Sequence, residues 1–222
     1  ALIIPAPSPF GVRRSRPALA LALLLSLPAA VFGQDDLAIV RVEEDWELVV
    51  GEPDPNLVAP QLTCALSPTQ TLDGLYLLFD VNHQNHPDFV AGGVQLQVWS
   101  GDFAVLERKF PNTLAMAQPG ETVSWTQAMA VSGGNLSVEI TNGRSATWGL
   151  FGAEGYLKAA VATEIANLNG YSPDFSTANS GVGYASNRVV SLVLKRVRYY
   201  TDSGAHWEDA TPRTVFLAVQ AN

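Results

Sequence analysis

An antiparallel β-sandwich of two sheets is the fold class this chain predicts, and three observations carry the prediction. The dominant apolar period is two. Val123, Trp125, Met129 and Val131 alternate with Thr122, Ser124, Thr126 and Ala128, and Leu136, Val138 and Ile140 alternate with Ser137, Glu139 and Thr141. A strand with one wet face reads this way. The periodic runs are short and are broken by Gly, Pro, Asn and Asp, which is the rhythm of a sandwich or barrel. Gly133-Gly134 and Asn142-Gly143 are two-residue hairpin signals, so residues 122–151 are predicted as a three-stranded meander.

Taken in order, further strands are predicted at 37–42, 46–50, 61–66, 75–81, 94–99, 103–110, 156–163, 189–200 and 213–219. The segment at 156–163 has apolar spacing that suits a helix or a strand, and its β neighbours favour the strand. Leu75–Phe79 and Val189–Leu194 are apolar on both faces and are expected to run through the centre of the packing. From Asn167 to Asn187 the chain is rich in Asn, Ser, Gly and Tyr, and a long loop is expected there.

The first residues read as a targeting segment, not as fold. Arg13, Arg14 and Arg16 precede an apolar run from Ala18 to Leu27, then Pro28 and small residues up to Gly33. A basic region, a short apolar run and a small-residue exit mark a secretory signal. Residues 1–33 are therefore expected to be removed, leaving one domain over 34–222 that is secreted, periplasmic or on the cell surface. Loss of those three arginines reduces the 13 basic side chains to ten against 21 acids, and the formal charge moves from −8 to −11. Such a balance argues against nucleic acid and anionic membranes as partners. Cys64, the only cysteine, excludes an internal disulfide and is expected to be a small buried residue.

Glu43-Glu44-Asp45-Trp46-Glu47 contains Glu-x-Asp-x-Glu, which on a strand turns residues 43, 45 and 47 to one face. Paired carboxylates on one face are the apparatus of retaining glycoside hydrolysis. The stretch resembles the catalytic strand of the laminarinase-type glucanases, a concanavalin-like jelly-roll family. That resemblance would make Glu43 the nucleophile, Asp45 the helper and Glu47 the acid/base. The same acids read equally as a solvated edge strand, which charge protects from edge-to-edge pairing. Lys195, Arg196 and Arg198 offer them partners. In concanavalin-like jelly rolls the terminal strands lie side by side, so the resemblance implies that these charges meet. Each cross-strand pair would contribute about 0.2–1 kcal/mol.

The polar run Asp80 to Asp88 holds Asp80, Asn82, Asn85 and Asp88, with His83 and His86 between them. Three readings stand: a plain turn capped by its own side chains, an oxygen-donor site for calcium made by those four residues, and a zinc shared by His83 and His86 with a carboxylate. A strand ending in Phe-Asp with Asn and Asp following loosely resembles the metal loop of legume-type lectins. Of the five tryptophans, Trp125 and Trp148 fall in phase with apolar neighbours and are expected in the core. Trp99, Tyr171, Tyr184 and Trp207 stand in polar or turn-rich contexts and are the candidates for stacking on sugar rings.

Export, acidity and these loops point to a non-catalytic domain that binds carbohydrate or another envelope component, with calcium as the cofactor to test. The alternatives are a glycoside hydrolase using Glu43 and Glu47, and a structural cell-surface module with no small ligand.

Overall fold

Two antiparallel sheets, of eight and five strands, share one apolar core. The computed structural model describes residues 37–57, 59–82, 93–112, 114–152 and 156–217, all within the unit Asp36–Asn222. The expected export signal at 1–33 lies outside the described residues.

In chain order the strands are β1 (Ile39–Val50), β2 (Gln61–Leu66), β3 (Leu75–Val81), β4 (Val94–Ser100), β5 (Phe103–Phe110), β6 (Thr122–Ser132) and β7 (Asn135–Ser145). They continue as β8 (Gly149–Phe151), β9 (Lys158–Ala162), β10 (Gly181–Tyr184), β11 (Val189–Thr201), β12 (His206–Asp209) and β13 (Arg213–Thr214). The larger sheet runs β12-β11-β1-β6-β7-β8, with β13 against β11 and β9 against β7. The smaller runs β10-β2-β3-β4-β5. Consecutive strands β2 to β5 thus form one antiparallel meander within the smaller sheet.

Alternation decides what each strand buries. On β1, Val42, Trp46, Leu48 and Val50 turn inward, and on β3 Leu77, Phe79 and Val81 do the same. The rings of Trp46 and Trp125, neighbours on β1 and β6, lie parallel at 6.3 Å between centroids. Phe79 of the other sheet tilts onto Trp125 at 5.5 Å, so aromatic contacts join the two layers. Each large side chain buried here contributes about 1.5–3 kcal/mol relative to exposure. Cys64, Trp125 and Trp148 are buried, as expected.

Several boundaries differ from the sequence expectation. The strands predicted at 37–42 and 46–50 are one, because the acids between them are held by partners and need no turn. β1 is also interior to its sheet, between β11 and β6, and so is not the solvated edge strand. The turn expected at Asn142-Gly143 is instead an irregularity inside β7. Asn142 adopts φ +56°, and the β6 register shifts between Ser124 and Thr126 opposite it. The chain reverses later, after Ser145. Gly133-Gly134 is the turn between β6 and β7, both residues at positive φ.

The region 167–187 is no continuous loop. It contains α1 (Pro173–Ala178), the edge strand β10 and the start of a 3-10 turn over Ser186–Arg188. Its short elements carry too few apolar residues to show a period. β12 escaped prediction for the same reason, since His206-Trp207-Glu208-Asp209 has one apolar residue. β13 keeps two residues of the strand expected over 213–219. Within β11, Val190 is exposed, against the expectation that Val189–Leu194 lies wholly in the packing. No helix among the described residues is long and apolar enough to cross a membrane.

Candidate functional site

The face of the larger sheet turned away from the core carries a dense charged array. On β1 the outward residues are Arg41, Glu43, Asp45 and Glu47, at the period of two. β11 lies antiparallel beside them, with Arg198 opposite Glu43 and Arg196 opposite Asp45. A bulge follows at Lys195, which reaches Glu47 at 3.2 Å. The three cations of β11 therefore meet the three outward acids of β1.

Asp45 is the centre of the array. Its Oδ2 accepts from Arg196 Nε (2.9 Å), Arg196 Nη2 (2.7 Å) and Arg198 Nη1 (2.7 Å). Its Oδ1 accepts from Arg198 Nη2 (2.9 Å) and Thr126 Oγ1 (2.8 Å). Glu43 accepts from Arg41 Nε at 2.8 Å, Arg198 Nε at 2.7 Å and Tyr200 Oη at 3.1 Å. Arg41 continues the line to Glu139 at 2.8 Å, and Glu139 to Lys158 at 3.3 Å. Burial would raise the Glu43 carboxyl, but hydrogen bonds from Arg198 and Arg41 outweigh it and hold it below the ordinary carboxylate range. Asp45 follows the same pattern: burial opposes, and Arg198, Arg196 and Thr126 prevail.

Next to this array the face dips into a depression of about 340 Å³, bordered by Glu47, Ser124, Thr126, Asn142, Arg144 and Lys195 together with Asp45, Arg196 and Arg198. Its border carries four cations against two acids. Arg144 is exposed and has no hydrogen-bond or ion-pair partner among the described residues. The backbone that carries it is fixed. Glu121, itself buried, accepts from Ser145 Oγ, Thr147 N (2.9 Å) and Thr147 Oγ1 (2.6 Å), which pins the turn after β7. Hydroxyls, an amide, an ammonium, guanidinium groups and two carboxylates thus surround an open hollow on the sheet, with Trp46 and Trp125 also in its lining.

The stacking candidates do not converge there. Tyr171 is a core residue, only 8% exposed, with its hydroxyl spent on Glu44, so its ring has no open face. Trp207 is half exposed and stacks on Tyr199 at 5.0 Å, and Tyr199 meets Tyr171 edge-on at 5.8 Å. Strand alternation puts Tyr199 and Trp207 on the opposite face from Arg198 and Arg196. Trp99 lies in the other sheet, stacked on Tyr76 at 6.4 Å, and Tyr184 sits on β10 at that sheet's edge.

Of the four calcium candidates, Asn85 and Asp88 lie outside the described residues, as do His83 and His86. Asp80 is buried and accepts from Thr63 Oγ1. Asn82, also buried and at φ +56°, donates to Ala59 O at 2.9 Å. Among the described residues no group of three or more His, Cys, Asp or Glu stands close enough to hold a metal.

The sequence reading missed the buried carboxyl of Glu44. Its oxygens accept from Trp46 Nε1 (2.8 Å), Gln127 Nε2 (2.7 Å) and Tyr171 Oη (2.7 Å). Ser176 Oγ, fully buried, adds to the stabilisation of the ion without meeting regular hydrogen-bond geometry. Burial nonetheless prevails and pushes the Glu44 carboxyl above its ordinary value. The signal was present, since Glu44 shares the parity of Val42, Trp46 and Leu48. Arg144 and its rim were missed because β7 was predicted to turn one residue pair too early.

Comparison of the chain with known protein families, with curated proteins and with solved structures gave no match.

Proposed function

We propose that the chain is an exported, non-catalytic binding domain for carbohydrate or another envelope component, and that the outer face of the larger sheet is its contact surface. The observation that supports this reading most is the hollow beside Asp45. Ser124, Thr126, Asn142, Glu47, Lys195 and Arg144 present donors and acceptors around it in fixed positions. A polyhydroxylated ligand needs such a two-sided hydrogen-bonding surface, and a strand scaffold holds it at little entropic cost. A screen of residues 34–222 against neutral and acidic polysaccharides, with and without EDTA, tests it. Binding through this face is expected, and no binding to any polysaccharide overturns the reading. A calcium site on Asp80, Asn82, Asn85 and Asp88 would show as a rise in melting midpoint on adding Ca²⁺.

The glycosidase alternative keeps one observation in its favour, the common face of Glu43, Asp45 and Glu47. Against it, both oxygens of Glu43 and both of Asp45 already accept from cations and hydroxyls. A nucleophile needs an oxygen free to attack. Hydrolysis of β-glucans that survives Glu43→Gln and Glu47→Gln would exclude the alternative. The concanavalin-like jelly-roll assignment is likewise a proposal. The adjacency of β1 and β11 supports it, and the unbroken meander of β2 to β5 in one sheet weighs the other way.

A further inference from the structure

A second pocket, of about 320 Å³, is lined by the segments 53–57 and 115–117 and by Arg188, and shares no lining residue with the hollow beside the charged array. Pro53, Pro55, Leu57, Met116 and two alanines make its walls apolar, and Asp54 and Arg188 are its charged members. Arg188 is fixed from both ends. Its carbonyl accepts from Gly51 N, its amide donates to Ala185 O at 3.0 Å, and the residue closes the 3-10 turn that begins at Ser186.

Arg188 is 5% exposed as a residue, yet its guanidinium meets no carboxylate at ion-pair distance among the described residues. Nη1 donates to Leu57 O at 3.3 Å and Nη2 to Met116 O at 3.1 Å. Nε is buried and has no hydrogen-bond partner among the described residues. Asp54 favours the Arg188 charge from a distance but makes no ion pair with it, and its Oδ1 is turned to Asn56 N (2.8 Å) and Asn56 Nδ2 (3.1 Å) within its own turn. A buried arginine normally has a counter-anion, since an uncompensated charge or donor is costly away from water. Two of its five N–H groups are used by carbonyls, which leaves Nε and free Nη protons to present a two-pronged face.

We infer that this pocket binds a small carboxylate with an aliphatic body, its carboxylate accepting from Arg188 Nε and its chain lying against the proline, leucine and methionine walls. The guanidinium fork matches a carboxylate in shape and charge. A phosphate would bring more charge and more oxygens than one guanidinium between apolar walls can serve, and Asp54, which opposes any anion here, would oppose the more highly charged one more strongly. The site is independent of the face proposed above for carbohydrate.

The test follows the Nε–Hε resonance of Arg188 in the ¹⁵N-labelled chain, assigned by its absence in Arg188→Lys. Sodium acetate, butyrate and hexanoate are titrated at constant ionic strength, with sodium chloride and butylammonium chloride as controls. A saturable shift with the carboxylates alone is expected, with affinity rising up to about fourfold per methylene that reaches the walls. Ala117→Phe fills the pocket while leaving the carbonyl bonds of Arg188 in place, and it is expected to abolish the shift in a folded chain. An unmoved resonance would mean that the pocket holds only water, and would overturn the inference. So would an equal shift with chloride, or a response that persists in folded Ala117→Phe.

Discussion

Tyr171 Oη donates to Glu44 Oε1 at 2.7 Å, joining residues 127 positions apart inside the core. The bond ties the segment leading into α1 to the middle of the larger sheet. It also leaves the ring of Tyr171 edge-on to Tyr199, which carries Trp207 on its other side. Tyr171→Phe removes one of the hydrogen bonds to a fully buried carboxyl. A loss of about 1–3 kcal/mol in urea unfolding is expected, with the larger loss where Glu44 is ionised. An unchanged midpoint would show that the bond carries no net stability.

Glu44 should also give the protein a pH dependence of known sign. Its folded carboxyl titrates above the ordinary value of 4.5, because burial disfavours the ion. Above 4.5 the unfolded chain releases this proton first, so stability falls as pH rises towards the folded value. Glu44→Gln removes the titration and keeps the shape. The midpoint of Glu44→Gln relative to the parent chain should therefore climb as pH rises from the ordinary value of 4.5 towards the folded one, as read by thermal melts; a difference that stays flat as pH rises above 4.5 contradicts the assignment.

The array on the outer face works in the opposite sense. Glu43 and Asp45 titrate below their ordinary values, so their stabilisation is present above those values and is lost as pH falls through the folded ones. Asp45→Asn leaves Arg196 and Arg198 without their shared acceptor. A loss of about 1–2 kcal/mol at neutral pH is expected for a half-buried site of this kind. Acid melts should then show a shallower decline for Asp45→Asn than for the parent chain.

Arg144 offers a separation of binding from stability. It has no partner among the described residues, so Arg144→Glu should shift the melting midpoint by less than about 2 °C. If the hollow is the contact surface, the same change should weaken binding of an acidic polysaccharide at least about tenfold, measured by calorimetry or retarded migration. Full binding by this variant would move the contact surface elsewhere.

Gly143 is demanded by packing. A Cβ there would fall on the ring and carbonyl of Phe151, which is itself buried in the core. Gly143→Ala should cost about 2–3 kcal/mol through overpacking, while Gly181→Ala, with open space around it, should be nearly neutral. Equal midpoints for the two variants would contradict the close approach.

What could be read from the chain alone was whatever repeats locally. The period of two over 122–141 and the Gly133-Gly134 turn are short-range properties, and they appear where they were expected. The burial of Trp125, Trp148 and Cys64 follows from the same alternation. The charge partners of Glu43 and Asp45 were expected only through a resemblance, because Arg198 lies 155 residues from Glu43. Three matters were decided by tertiary structure alone. β1 became an interior strand because β6 pairs with its second side, and no local pattern encodes that. Strand parity already turned Glu44 inward, but the donors from β6 and from the segment before α1 that close around its carboxyl come only with the tertiary structure. Asn142-Gly143 stayed inside a strand because Phe151 packs on the glycine. Side-chain alternation is written residue by residue along a strand, whereas the neighbour across a sheet or a core comes from the far end of the chain.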